Sequence, residues 1–125
     1  QDSAHLTDAG VAHFKDCAGL EVFNFANAAV GDAGVAHLRN CAKLVGIGLA
    51  GTKVTDAGLA HFKDCKGLKS LWLNGTRVSD AGVAAAKSFP GLREVHLAGT
   101  TVTDEGLAHL HACKSLTALG VERTK

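Results

Sequence analysis

An α/β solenoid, with a parallel sheet inside and helices outside, is the fold class this sequence predicts, and three observations predict it. First, the chain repeats. Cys17, Cys41 and Cys65 recur at an interval of 24 residues, Cys113 lies two intervals further on, and Phe89 fills the missing rung. The same interval relates Asp8, Asp32, Asp56, Asp80 and Asp104, and likewise Gly10, Gly34, Gly58, Gly82 and Gly106. Second, each repeat changes its apolar period from helical to alternating partway along. Third, Gly is frequent, at 15 of 125 residues, and Pro almost absent, at 1. A repeat of this length is one supersecondary unit that cannot bury its apolar side alone and must stack on its neighbours.

The chain is read as a single domain, 1–125, with a partial unit 1–6 followed by units 7–30, 31–54, 55–78, 79–102 and 103–125. Unit 55–78 serves as the type. Thr55 and Asp56 offer oxygens to the free N–H groups that open a helix. Leu59, Phe62 and Cys65 then recur on one helical face, with Lys63 and Asp64 on the wet side. Gly58 costs about 1 kcal/mol of helix propensity against Ala, so its return in every unit marks a place too crowded for a Cβ. Leu68, Leu71 and Leu73 follow as L-x-x-L-x-L, and their alternation predicts a strand of roughly three to five residues. Asn74-Gly75 turns the chain, as do Ala50-Gly51 and Ala98-Gly99 in neighbouring units.

On these residues the sequence resembles the leucine-rich repeat family. The units are similar to the 24-residue T-D-A-G-L repeats of bacterial proteins, and their Cys65-Lys66-Gly67-Leu68 segment is similar to the cysteine-containing subclass. The resemblance implies a horseshoe segment and a protein-binding scaffold. The sequence departs from the family pattern at the polar rung, which is Thr52, Thr76, Thr100 and Thr124 where most members carry Asn or Cys. In the first unit the rung is Ala28. A Thr hydroxyl there is expected to bond a neighbouring loop carbonyl, and unit 7–30, lacking it, is expected to be looser.

Composition narrows the function classes. With 13 Lys+Arg against 12 Asp+Glu, the formal net charge is +1. That balance argues against a nucleic-acid module. The basic row Lys15, Arg39, Lys63, Lys87, closed by His111, is read as a solvated helix face. No stretch of eighteen apolar residues is present to span a membrane, and no secretory leader is seen. Met is absent. The chain is therefore read as a processed product or an excised piece.

Two ladders invite chemistry. His13/Cys17, His37/Cys41, His61/Cys65 and His109/Cys113 are spaced four apart, as ligand pairs would be on one helix face. Cys, however, holds a core rung that Phe89 also fills, which packing permits and ligation does not. Helices about 8–10 Å apart also keep successive rungs from sharing a metal ion or a disulfide. Buried free thiols, with no metal and no cofactor, are expected, and they fit a reducing, cytoplasmic compartment. The Asp ladder is read as helix capping, each Asp meeting the positive end of its own helix.

Alternation places Val22, Asn24 and Ala26, and their equivalents in each later unit, on the open inner face of the sheet. Trp72, His96, Glu94, Asn74, Ser70 and Asn24 are the candidate partner-contacting residues. Trp72 either packs over the Gly46/Gly48 hollow or waits for a partner. No catalytic residue is assigned. His96 and Glu94 form the one acid–base pair, about 7 Å apart by strand rise, beyond direct hydrogen bonding unless their side chains lean together. The predicted function is non-enzymatic recognition of a protein over the inner face. The alternatives are metal binding through the His/Cys ladder and a fragment or self-associating array with no partner, its ends pairing copy to copy. Only Glu122, Arg123 and Lys125 guard the late edge.

Overall fold

A computed structural model describes residues 6–122. Thr124, Arg123, Lys125 and the first five residues of the partial unit lie outside the described residues. Five helix–strand pairs follow one another. The helices are α1 (Asp8–Val11), α2 (Asp32–Ala36), α3 (Asp56–Ala60), α4 (Asp80–Ala84) and α5 (Asp104–His109). The strands are β1 (Val22–Asn24), β2 (Gly46–Gly48), β3 (Ser70–Trp72), β4 (Glu94–His96) and β5 (Ala118–Gly120). All five strands form one parallel sheet in sequence order. Its register keeps the 24-residue interval, so Phe23, Ile47, Leu71, Val95 and Leu119 form a single row across the sheet.

That row is the core side of the sheet. Ile47, Leu71 and Val95 are buried between the strands and helices, together with Leu49, Leu73, Leu97 and the valine rung Val30, Val54, Val78 and Val102. Phe23 stacks on Phe25 at a centroid distance of 4.6 Å and reaches Phe62 at 6.0 Å. Each turn out of β1 to β4 holds a left-handed residue. Gly51, Gly75 and Gly99 supply it at φ 72, 68 and 75°, and Asn27 takes the same role at φ 64°.

The crowding at the helical glycines has a specific cause. A Cβ on Gly82 would lie 2.3 Å from Asp56 Oδ1, and one on Gly106 would lie 2.3 Å from Asp80 Oδ1. The Asp of each pair reaches forward to the next one. Asp56 Oδ1 accepts from the Ser79 N–H at 2.7 Å and Oδ2 accepts from the Ser79 hydroxyl. Asp32 binds the N–H and hydroxyl of Thr55 in the same way, Asp80 those of Thr103, and Asp8 the N–H of Gly31. This corrects the expectation that each Asp caps its own helix: the carboxylate clamps the start of the following helix, and the glycine there leaves it room.

For Asp80 the clamp lowers the carboxyl's pKa. The Thr103 hydroxyl bond contributes most, then the Thr103 N–H; partial desolvation opposes them, and the Gly106 N–H and His109 charge add to the lowering. A group whose folded pKa is depressed stabilises the fold above its unfolded pKa, near 3.9, and that contribution is lost as pH falls through the folded value. Asp80→Asn is therefore expected to flatten the acid limb of a stability-versus-pH curve below about pH 4, measured by urea denaturation. An unchanged acid limb would show that the carboxylate is not held ionised by the clamp.

The polar rung behaves differently from expectation. Thr52, Thr76 and Thr100 donate their hydroxyls to Leu49, Leu73 and Leu97 carbonyls at 2.7, 2.7 and 2.6 Å, closing their own strand ends instead of bonding a neighbouring loop. Ala28 keeps the equivalent main-chain bond, its N–H donating to Phe25 at 2.9 Å, and lacks only the hydroxyl.

The cysteines also need one correction. Cys41, Cys65 and Cys113 are buried free thiols, but Cys17 is exposed. Its rung is the first of the stack, where no described helix lies outside it to cover the sulfur. Each buried thiol reaches the main chain of the preceding repeat. Cys41 Sγ donates to the Cys17 carbonyl at 3.5 Å, Cys65 Sγ to Cys41 at 3.5 Å, and Cys113 Sγ to Ala86 at 3.6 Å. Burial raises the thiol pKa of Cys41, Cys65 and Cys113. Native protein treated with a maleimide is expected to take one adduct, at Cys17, with the other three reacting only after unfolding. Intact-mass spectrometry reads the count, and rapid labelling of a second thiol would contradict the burial of this ladder.

Candidate binding face

The inner face of the sheet is built by strand alternation. While Phe23, Ile47, Leu71 and Val95 turn into the core, their neighbours turn outward, and the register sets these in two rows. One row runs Val22, Gly46, Ser70, Glu94 and Ala118; the other runs Asn24, Gly48, Trp72, His96 and Gly120. Three sequence-predicted residues meet here. The Trp72 indole and the His96 imidazole stack at 6.2 Å with an interplanar angle of 5°. His96 Nε2 donates to Glu94 Oε1 at 2.7 Å, so the two side chains do lean together across the strand rise. The His96 and Glu94 side chains are 27% and 36% exposed, which leaves both open to a partner.

The glycines of the neighbouring strands make this arrangement fit. A Cβ on Gly120 would lie 2.9 Å from His96 Nδ1. On the other side, one on Gly46 would lie 3.7 Å from Trp72 Cζ3 and 3.4 Å from a Val22 methyl. Trp72 therefore leans over the Gly46 hollow and remains part-exposed. Covering glycines and facing solvent are both done by one ring.

Asn24, Asn74 and Ser70 fall on the same face but are not drawn into the stack. Asn24 is exposed; its Oδ1 accepts from the Ala26 N–H at 3.0 Å and overlies Gly48. Asn74 Oδ1 accepts from the Ala98 N–H at 3.2 Å, tying the ends of β3 and β4. Beyond the strand ends lies a shallow groove lined by the turn residues Asn27, Gly51, Asn74, Gly75 and Gly99, with Glu122 along it. Sequence reasoning took those glycine dipeptides only as chain turns, and so missed that they line a groove beyond the inner face. The signal was their shared interval with Asn27 and Asn74.

No group of three or more His, Cys, Asp or Glu gathers to hold a metal ion among the described residues. The thiols of Cys41, Cys65 and Cys113 point instead to main-chain carbonyls. No helix among the described residues is long and apolar enough to cross a membrane.

Known proteins place this architecture. The family model described as Leucine Rich repeat matches residues 92–110. No curated protein matches the chain. Among solved structures, internalin C2 of Listeria monocytogenes is similar at a TM-score of 0.76 and 19% identity over 86% of this chain and 44% of its own. A second internalin of that organism is similar at a TM-score of 0.59 and 13% identity, covering 86% of this chain and 36% of its own. The chain thus spans less than half the length of either internalin. Parallel strands in sequence order, helices on the outer side and a leucine ladder between them give the chain the fold of a leucine-rich repeat solenoid.

Proposed function

We propose that this chain is a non-enzymatic scaffold that recognises a protein partner over the inner strand face, with Trp72, His96, Glu94, Asn74, Ser70 and Asn24 as its contacts. One observation carries the reading: the aromatic–imidazole stack and its carboxylate stand part-exposed on a sheet face that no other described element covers. Tryptophan anchors interfaces because it buries much area at low conformational cost, and a stacked ring is already ordered before a partner arrives. A lone His–Glu pair without a second, unlike acid or an enclosing pocket is poor catalytic equipment and good recognition equipment.

The test is selection of binders from a displayed library of folded domains and peptides, followed by affinity measurements on Trp72→Ala and His96→Ala. Trp72→Ala is expected to weaken selected binders by about thirtyfold, a loss of about 2 kcal/mol. It should lower the unfolding free energy by only about 1–2 kcal/mol, because the ring is part-exposed and covers little more than a glycine hollow. Binders indifferent to both substitutions would overturn the reading. A larger loss of stability would make Trp72 structural.

A second reading, end-to-end pairing with another copy, is supported by the large apolar residues left most exposed. Phe14, Val22 and Leu119, at 41, 55 and 43% exposure, all belong to the first or last helix–strand pair. Sedimentation over a hundredfold range of concentration tests it.

A further inference from the structure

The inner face differs from the rest of the surface in its charge. The chain carries 13 Lys+Arg, one more than its Asp+Glu. Yet none of the fifteen alternating positions that build this face, from Val22 to Glu122, is a lysine or arginine. The two that are charged at neutral pH are Glu94 and Glu122. Among the described residues the cations lie off these positions: Lys15, Arg39, Lys63 and Lys87 are exposed on the helix side, Lys69 and Arg93 precede β3 and β4 at the entry edge of the sheet, and Lys53 and Arg77 follow the turns. The groove beyond the strand ends repeats the bias, since Glu122 is the one charged side chain among the residues that line it.

We infer that the partner segment recognised on this face is basic, an extended stretch of protein carrying lysine or arginine, laid across the strands from Glu94 toward Glu122. This rests on the reading of the inner face as the binding surface and names the chemistry of what it takes. Glu94 uses Oε1 for His96 and, at 36% side-chain exposure, presents its carboxylate to a guanidinium or ammonium from outside. The part-exposed indole of Trp72 beside it takes the aliphatic stem or the cation itself. Asn74 and the shallow turn groove continue the track to Glu122 without a bulky side chain in the way. An acidic segment would meet two carboxylates and, at the alternating positions of this face, no cation, with Lys69 and Arg93 outside it at the entry edge, and like charges in contact disfavour binding.

The test uses the whole chain and pairs of twelve-residue peptides, each a lysine- or arginine-bearing sequence matched to a version with glutamine or glutamate in place of the cations. Binding is read from the fluorescence of the single tryptophan and mapped by amide shifts. Basic peptides are expected to bind with shifts centred on β3 and β4, and Glu94→Gln is expected to weaken them about tenfold. Glu94→Lys should transfer preference to the glutamate versions. If the peptides that map to this face are the neutral or acidic ones, the inference falls and the inner-face reading stands. If basic peptides bind but map elsewhere, or are unmoved by both Glu94 substitutions, the inference falls. If a displayed library also yields no binder that maps to this face, the inner-face reading falls as well.

Discussion

Gly82→Ala is expected to destabilise the protein by about 2–4 kcal/mol, although alanine is the better helix former by about 1 kcal/mol. The methyl would sit 2.3 Å from Asp56 Oδ1 and 2.9 Å from a Val78 methyl. Val78 is fully buried, so relief must come from Asp56. Moving that carboxylate breaks its bonds to the N–H and hydroxyl of Ser79 and uncouples two consecutive helix–strand pairs. Two charge-assisted hydrogen bonds at a part-buried site are together worth about 2–3 kcal/mol, and the steric push adds to that. For a domain of this size the midpoint of thermal unfolding should fall by roughly 3–5 °C for each kcal/mol. The control is Asp56→Ala/Gly82→Ala. Without the carboxylate the closer of the two clashes is gone and only the Val78 contact remains, so the double variant should be less destabilised than the sum of the two singles. Additive effects would show that the glycine answers to something other than the clamp.

The helices, strands and core rows were legible because each depends on residues close in sequence. Leu71 and Leu73 declare a strand by alternation, and Leu59, Phe62 and Cys65 a helix face by spacing; all five are buried, but the elements are shorter than that reading, with α3 ending at Ala60, before Phe62 and Cys65, and β3 at Trp72, before Leu73. The glycine ladder declared crowding but not its cause, because the carboxylate that fills the space over Gly82 comes from Asp56, in the preceding repeat. The Asp ladder was read as local capping for the same reason. Exposure of Cys17 was hidden by the regularity itself, since each buried thiol reaches back to a carbonyl of the preceding repeat and no described helix precedes Cys17's own repeat. At the candidate site, strand pairing brings Trp72 and His96 abreast, which register alone predicts. Closure of His96 on Glu94 was not legible, because strand rise fixes the distance between main chains and not where two long side chains end.

The fourth repeat shows how a regular stack absorbs an irregular sequence, and Phe89→Cys is the substitution that exposes it. Restoring the cysteine of the other repeats makes the sequence more regular, yet the expected loss is about 3–4 kcal/mol. The reason is an exchange of volume within the rung. Where α3 is followed by Phe62 and Cys65, the fourth repeat has Ala86 and Phe89, so the aromatic ring has moved three residues along the chain. All four side chains are buried. A small void lined by Leu59, Gly82, Ala86, Phe89 and Leu110 marks where the exchange is incomplete. The Cys113 thiol, facing Phe89 instead of a cysteine rung, bonds Ala86 and not the residue at the Cys position. Phe89→Cys alone therefore opens a cavity, and Ala86→Leu alone inserts three carbons beside an intact ring and is expected to cost about 1–3 kcal/mol. Made together, they rebuild the Leu110/Cys113 pattern of the fifth repeat, and the double variant should unfold within about 1.5 kcal/mol of the natural chain. Urea denaturation of the four proteins gives the coupling. A favourable interaction of about 2 kcal/mol or more is expected, and strict additivity would mean that Phe89 and Ala86 do not share one space.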